Sequence, residues 1–377
     1  MLKIGVIGYG VRINSIVKLL LDSGEVALES VMDIDNEAVR TKFLSTVEFK
    51  SVRFYDDAKE MLEKEKLDGV CIGTRCSTHT EYALLVSKYN IPIFLEKPVC
   101  TNYDDLEKLK TISNMNEKVV VSFPMRLSKS VEFLKKLIDS GKIGSIEHVQ
   151  CYNNATNGRV YYHTWYRDED ETGGLFLQKA THDLDYINYL LGDLKPVRLC
   201  AMKSKQIFKG DKPAGLKCAD CNEAETCPES PRNVTKSGDI NSGEYCCFAK
   251  DTGNEDSGSV IIEYNSGMHV VYSQNFIVRN GAGKRGARLV GYKGTIEFDW
   301  INASVTVYRH DMNTVETYSF ANESGHHFGG DKKLTDNFVN VMKNEETSHS
   351  KLQDGIASAA LCLGAKKSAT EHKFVEL

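Results

Sequence analysis

The chain has 377 residues, 41% of them apolar and 26% charged, with a formal net charge of −5. That length suits two or three domains with sizeable cores, and the composition is that of a globular protein rather than a disordered or fibrous one. A slightly acidic balance with no basic run excludes a global pull toward nucleic acid or an anionic membrane, and no apolar stretch approaches the roughly 18–20 residues of a spanning helix. A strand pattern begins at Leu2 and leaves no room for a signal peptide before it, so a cytoplasmic protein is expected.

The first element is the run LKIGVIGYG over residues 2–10, a buried parallel strand that breaks into Gly8-Tyr9-Gly10. The first glycine permits a tight bend, and the second lets a pyrophosphate approach the backbone. Apolar residues at Val17, Leu19, Leu20 and Leu21 predict a helix whose N-terminus faces that anion. Gly8, Gly10, Val11, Arg12 and Ile13 therefore form the expected dinucleotide cradle. Ile13 departs from the pattern, standing where glycine or alanine ordinarily allows close helix–strand packing. A second strand, VALESVMD over 26–33, ends in Asp33. An acid there accepts hydrogen bonds from the adenosine ribose and repels a 2′-phosphate, which favours NAD over NADP. Arg12 and Arg40 are the cations that would soften this preference by reaching a phosphate.

Helix and strand patterns then alternate: helix over 58–66, strand 67–73, helix 81–88, strand 91–95, helix 104–112 and strand 118–123. Such alternation predicts a doubly wound parallel sheet with ligands at the carboxyl ends of its strands, where Thr74, Glu96 and Phe123 fall. Glu96-Lys97-Pro98 closes one strand, since proline halts the ladder. An ammonium at Lys97 would hydrogen-bond a substrate hydroxyl and stabilise developing alkoxide charge.

Beyond residue 125 the texture changes. A helix is predicted over 131–138, a turn at GKIG (141–144), a strand over 145–152 and a His- and Asp-rich helix over 178–191. Runs at 258–264, 269–277, 287–292, 295–300 and 304–309 alternate as antiparallel strands do, and helices over 330–342 and 356–366 follow. The expected architecture is α/β: a Rossmann domain over 1–124 and a C-terminal α+β domain over 125–377. The latter has an open, mostly antiparallel sheet and a Cys-rich insertion near 210–250. A sheet with one uncovered face suits a homodimer or homotetramer.

In the segment Gly173-Gly174-Leu-Phe-Leu-Gln178-Lys179-Ala-Thr-His182-Asp183-Leu-Asp185, Gln178 and His182 are one helical turn apart, as are His182 and Asp185. A histidine so placed suits general acid–base work, and the bland alternative is a structural histidine satisfied by a carboxylate. Upstream, Arg159, Tyr162, Trp165 and Arg167 suit either stacking on a sugar ring or ordinary packing.

Gly8-Tyr9-Gly10, Asp33, the strand VCIGT followed by His79, Glu96-Lys97-Pro98, Arg126, GKIG, Gly173-Gly174 and His182-x-x-Asp185 occur in order. Together they closely resemble the Gfo/Idh/MocA oxidoreductases over essentially the entire chain. The resemblance implies a Rossmann domain with nicotinamide cofactor, in which His79 joins the cofactor-binding set of Thr74 and Glu96. It also implies a C-terminal domain that carries a sugar or cyclitol substrate, with Arg126, Gln178, Lys179, Asp185 and His327 on the substrate side, to which the aromatic loop would add Tyr162 and Trp165 if it stacks on the sugar. It assigns Lys97 as the catalytic lysine and His182 as the proton-transferring histidine. The family commonly has an Asp four residues before that His, where this chain has Gln178. The loop Gly325-His326-His327-Phe328-Gly329-Gly330-Asp331 resembles one found in part of the family, and would bring His327 and Asp331 to the pocket or serve as a surface connection. The expected activity is an NAD-dependent dehydrogenase of a sugar, cyclitol or glycoside hydroxyl. The rivals are a redox-neutral, NAD-dependent glycosidase or lyase and a non-catalytic NAD-binding regulator.

Eleven cysteines are an odd number for a fully paired framework. Cys218-x2-Cys221-x5-Cys227, followed by Cys246-Cys247, has three readings: a structural zinc held by Cys218, Cys221, Cys227 and Cys246, reduced thiols in a loop, or a regulatory or preparation-dependent disulfide.

Overall fold

A computed structural model describes residues 1–43, 49–156, 158–234, 243–320 and 326–377. The chain forms two compact units: Met1–Glu132 with Glu323–Ala360, and Phe133–Asn322 with Leu361–Leu377.

The first unit is built on β1 (Leu2–Ile7), α1 (Val11–Leu21), β2 (Val26–Met32), α2 (Asn36–Lys42), β3 (Arg53–Tyr55), α3 (Ala58–Lys64), β4 (Gly69–Ile72), α4 (His79–Ser87), β5 (Ile93–Leu95), α5 (Tyr103–Lys110) and β6 (Val119–Val121). Its strands pair in the order β3-β2-β1-β4-β5-β6, all parallel. Every residue of β4, β5 and β6 is buried, which is why these segments read as unbroken apolar runs rather than alternating ones. Side chains of Asp35, Asp57 and Asn102 cap α2, α3 and α5 by accepting from backbone N–H groups of their first turns. α1 buries Ile13, Ile16, Val17 and Leu20, the stripe expected of a helix lying on a sheet.

Ile13 is the departure from the glycine fingerprint, and its space is made across the interface. A Cβ at Gly73, just beyond β4, would stand 2.7 Å from the Ile13 Cβ. The close approach thus survives with the small residue moved to the strand side. Gly73→Ala is expected to destabilise the protein by about 1–3 kcal/mol through overpacking. In thermal melts the double variant Gly73→Ala/Ile13→Ala should lose less than the sum of the single losses, because both changes act on one contact.

α6 (Lys129–Asp139) leads into the second unit, with β7 (Ile146–Asn154), α7 (Val160–His163), α8 (Glu169–Thr172), α9 (Thr181–Leu191), β8 (Pro196–Ser204), α10 (Pro231–Val234), β9 (Ser257–Tyr264), β10 (His269–Asn275), β11 (Lys284–Gly291), β12 (Gly294–Asp299), β13 (Ser304–Arg309) and β14 (Val315–Ser319). α11 (Gly330–Met342) returns to the first unit, where Leu334, Phe338, Val341 and Met342 share a core with Ile4, Val6 and Val31. α12 (Leu352–Glu371) and β15 (Val375–Glu376) end the chain.

The second sheet has nine strands in the order β14-β13-β12-β11-β7-β10-β9-β8-β15. All its pairs are antiparallel except β7 with β10. β8 and β14 lie in segments where no strand is predicted from the sequence. β14 alternates exposed and half-buried residues, so it carries no apolar signal of its own. The alternation in β9 and β10 places every second residue in the core, as the period-2 pattern requires. No helix among the described residues is long and apolar enough to cross a membrane.

Candidate active site

In the first unit the turn after β1 is open where a dinucleotide would approach. Gly8 has φ +79°, and a Cβ there would lie 2.6 Å from the Thr74 backbone, whereas a Cβ at Gly10 would meet nothing within 4 Å. Gly10 stands at the N-cap of α1 and no side chain caps that end, leaving a helix N-terminus suited to an anion. Val11, the first residue of the helix, is exposed. Asp33 follows β2 half-buried. Its Oδ2 accepts from the Tyr9 N–H at 2.6 Å and its Oδ1 from the Asp35 N–H at 2.9 Å. The carboxylate is thereby oriented at the edge of the Gly8–Gly10 turn. The residues present fit a nicotinamide dinucleotide.

Several neighbours assigned to that cradle serve it indirectly. The Arg12 guanidinium is engaged by two carboxylates. Its Nε donates to Glu96 Oε1 (3.0 Å), its Nη1 and Nη2 to the Asp331 carboxylate (3.0 and 2.7 Å), and its Nη2 also to Ser122 Oγ. Burial works against the Arg12 charge, but Glu96 and Asp331 outweigh it and hold its pKa above the ordinary range. Glu96 is buried and bound to Arg12, so it braces the turn. Burial pushes the Asp331 carboxyl up, and hydrogen bonds from His327 and Arg12 more than reverse this, leaving it well below the usual range. His327 Nδ1 lies 2.9 Å from Asp331 Oδ2. His327 thus joins Asp331, Arg12 and Glu96 in one hydrogen-bonded chain in the first unit, while Gly325 lies outside the described residues. Arg40, exposed, lies over the Phe54 ring at 4.2 Å.

Ile13 and His79 are likewise packed within the first unit. Ile13 is a core residue at 1% exposure. The buried His79 ring stands 2.7 Å from the Pro98 carbonyl at Nδ1 and 3.2 Å from the Thr74 carbonyl at Nε2. Burial lowers its pKa, against the pull of those carbonyls, so it is a neutral strut between the ends of β4 and β5. Lys97, half-buried, sits beside that strut. Arg126 is held within the first unit. It is buried, and its Nη1 donates to Asp354 (2.8 Å) and to the His349 carbonyl.

In the second unit, the helix expected over 178–191 opens with a π-turn over Phe176–Ala180 before α9. Gln178 and His182 therefore stand across a widened turn, a feature that recurs at functional sites. Gln178 and Asp185 are buried, and His182 is half-buried in the first turn of α9. Spacing alone points to Asp185, but the polar hub is its neighbour Asp183, which is fully buried. Asp183 Oδ2 accepts from Asn153 Nδ2 (2.8 Å) and the Tyr272 hydroxyl (3.1 Å), and its Oδ1 accepts from Arg285 Nε (2.7 Å). Strand register explains the convergence, because Asn153 on β7 pairs with Arg285 on β11 and with Gln274 on β10. Burial acts to discharge Arg285, and Asp183 outweighs it. The signal in the sequence was a polar residue at a core-facing position in each of three adjacent strands, visible only once their register is known.

Lys179 lies in the π-turn, its Nζ 5.7 Å from the Tyr161 ring centroid. Burial, then the Arg285 charge, lowers its pKa from 10.5 to about 8, against the pull of Asp183. Between those two values the unfolded chain binds a proton that the folded chain has lost, so stability rises with pH across that window. Below it the folded protein carries the cost of a partly desolvated ammonium. Lys179→Met is expected to melt higher at neutral pH and to lack this rise, as parallel melts of both proteins through the window will record.

The loop before α8 is tied down. Tyr162 is 1% exposed and its hydroxyl donates to the Glu255 carbonyl at 2.6 Å, which makes it a core residue rather than a sugar contact. Arg159 donates to Glu229 and the Pro228 carbonyl, and Arg167 to Asp251 and Thr252. Trp165, half-buried, stacks on Tyr166 with centroids 3.9 Å apart.

Residues 2–123 match the model described as "Oxidoreductase family, NAD-binding Rossmann fold", and residues 135–377 match "Oxidoreductase family, C-terminal alpha/beta domain". The chain is 27% identical to YteT of Bacillus subtilis over 328 residues, 76% of each chain. It is 22% identical to the myo-inositol 2-dehydrogenase of Thermotoga maritima, covering 100% of this chain and 98% of that one. An oxidoreductase from Agrobacterium radiobacter, solved in complex with NAD+, L-tartaric acid and magnesium, shares the fold with a TM-score of 0.72 at 16% identity, over 100% of this chain and 98% of that one.

Proposed function

We propose, from the premise that this chain belongs to the Gfo/Idh/MocA oxidoreductase family, that it is an NAD-dependent dehydrogenase of a cyclitol or sugar hydroxyl. The observation that carries this reading is similarity to a myo-inositol 2-dehydrogenase over the whole chain, with Lys97 and His182 both present. Asp33 at the end of β2, with Arg12 already committed to carboxylates, supports NAD over NADP. Gly8, Gly10, Val11, Asp33 and Thr74 would hold the dinucleotide. Bound NAD supplies the hydride acceptor.

The chain supplies the proton handling. In the oxidative direction His182 takes the substrate hydroxyl proton, and the Lys97 ammonium donates a hydrogen bond to the same oxygen as negative charge builds there. Gln178 cannot carry a proton away, so relay beyond His182 does not run through that position. Trp165, Lys179 and Asp185 stand on the substrate side, and Lys179 near its pKa carries a charge that falls as pH rises through about 8. The uncovered face of the nine-stranded sheet is the surface through which a homodimer or homotetramer would form.

The test begins with the purified protein. It is denatured, its supernatant is assayed for NAD(H), and the native protein is screened with added NAD against cyclitols, sugars and glycosides. NADH accumulating with one substrate class supports the dehydrogenase. Retained NAD with aglycone release and no NADH build-up would replace it by a redox-neutral glycosidase.

A further inference from the structure

The polar hub of the second unit sets the Asp183 carboxylate against two cations, Arg285 and Lys179. Asp183 is already well supplied with donors: Asn153 Nδ2 and the Tyr272 hydroxyl on Oδ2, and Arg285 Nε on Oδ1. Lys179 precedes Asp183 by about one helical turn, the spacing at which side chains meet. Among the described residues, however, its ammonium forms no ion pair, and its Nζ lies instead 5.7 Å from the Tyr161 ring centroid. Other ionisable groups nearby add no second counter-charge. Glu255 is joined to the hub through Gln274, whose Nε2 donates to Glu255 Oε1 at 3.5 Å and whose Oε1 accepts from Tyr272 at 3.2 Å. Burial raises the Glu255 pKa. Burial likewise keeps the Cys151 thiol, 3.2 Å from the Tyr186 hydroxyl, in its neutral form.

Arg285 is held by one prong. Its Nε donates to Asp183 Oδ1 at 2.7 Å, and among the described residues this is the hydrogen bond its guanidinium makes. Nη2 is shut off from solvent and has no partner there. A buried donor left unmade is costly, so such an atom marks a place for an acceptor. The Nη1–Nη2 edge is a fork of parallel donors, the geometry that takes both oxygens of a carboxylate. Its position is fixed, because the guanidinium lies 5.8 Å from the Trp300 ring centroid and the Trp300 N–H donates to the Arg285 carbonyl at 2.8 Å. The hub adjoins the proton-handling residue directly, since His182 precedes Asp183 in the first turn of α9 and follows the π-turn that carries Lys179.

We infer that the substrate is a carboxylated sugar or cyclitol, whose carboxylate accepts from the Nη1–Nη2 edge of Arg285 beside the Lys179 ammonium while a ring hydroxyl meets His182. The inference rests on the dehydrogenase reading for the hydroxyl that reacts. Charge selects the class of ligand. Asp183 balances Arg285, which leaves the Lys179 ammonium as the surplus cation. A carboxylate monoanion closes that difference, a neutral polyol leaves it open, and a phosphate dianion overshoots it. Substrates lacking the acid group are rejected because the cations then stay buried and unpaired.

The test uses the full chain with NAD and matched substrates: D-glucose against D-glucuronate, D-galactose against D-galacturonate, and glucose-6-phosphate as the dianion. NADH formation gives kcat/KM, and tryptophan fluorescence, with Trp300 beside Arg285, gives Kd without turnover. The carboxylated member of a pair is expected to be preferred by about 100-fold, in kcat/KM or, where nothing turns over, in Kd. Arg285→Lys keeps a cation opposite Asp183 but loses the fork, and should raise KM for the carboxylated member by about 10-fold. Lys179→Met should cut the preference for the acid by about 10-fold. If Arg285→Lys fails to fold, Lys179→Met and the preference of the parent protein still decide. Neutral members bound as well as their acids, glucose-6-phosphate preferred to both acids, no acid bound at all, or a preference undiminished in both folded variants would each overturn the inference. NADH formed from neutral members alone overturns it and leaves the dehydrogenase standing. Selective binding of the acids with no NADH from any substrate overturns the dehydrogenase and leaves the carboxylate site standing.

Discussion

Replacing His182 with alanine is expected to lower turnover by about 10²–10⁴-fold while leaving NAD retention unchanged. The size follows from the role: a positioned base that takes the hydroxyl proton as hydride leaves contributes about that factor. The selectivity follows from the fold. His182 lies in the first turn of α9 in the second compact unit, whereas the open Gly8–Gly10 turn and Asp33 belong to the first. Loss of the imidazole should reduce kcat and kcat/KM together, the signature of an interaction made in the transition state. NAD released on denaturation measures the cofactor arm. A variant within about twofold of the parent rate would remove His182 from the mechanism.

The second large effect is on stability. Asp183→Ala leaves the Arg285 guanidinium buried without its carboxylate and strips an acceptor from Asn153 and Tyr272. Breaking a buried pair from one side costs about 3–5 kcal/mol, a large share of the roughly 5–15 kcal/mol that holds a typical domain together. The chain reports on this directly. Its two tryptophans, Trp165 and Trp300, are both in the second unit, and the Arg285 guanidinium lies 5.8 Å from the Trp300 ring. Denaturant titration followed by tryptophan fluorescence should show the midpoint fall sharply in Asp183→Ala. Asp183→Ala/Arg285→Met should recover part of the loss, since no stranded charge remains. Equal destabilisation of the single and double variants would show that the ion pair is not what Asp183 contributes.

Much of this protein is written in short windows of its sequence. The apolar runs at residues 4–7, 69–72, 93–95 and 119–121 are buried on both faces of a parallel sheet, so each is recognisable without its partners. The same holds for the Gly8-Tyr9-Gly10 turn, whose first glycine takes the positive φ that the bend requires. The family, the Rossmann sheet and the antiparallel texture of the second sheet all follow from such local patterns. β14 escaped because its side chains alternate between exposed and half-buried and carry no apolar code.

What local patterns do not encode is the partner of a polar side chain. Arg12 reads as a phosphate ligand by its place in the turn, yet its guanidinium is claimed by Asp331, 319 positions away. Tyr162 reads as a sugar contact until its hydroxyl is found on the Glu255 carbonyl. Asp183 is unremarkable beside Asp185 until the register of β7, β10 and β11 places Asn153, Tyr272 and Arg285 around it. Periodicity is decided within a turn or two of chain, where burial alternates with backbone geometry. Ion pairing in a core is decided by whichever charges packing brings within a few ångströms, because a buried charge must find its partner wherever in the chain that partner lies.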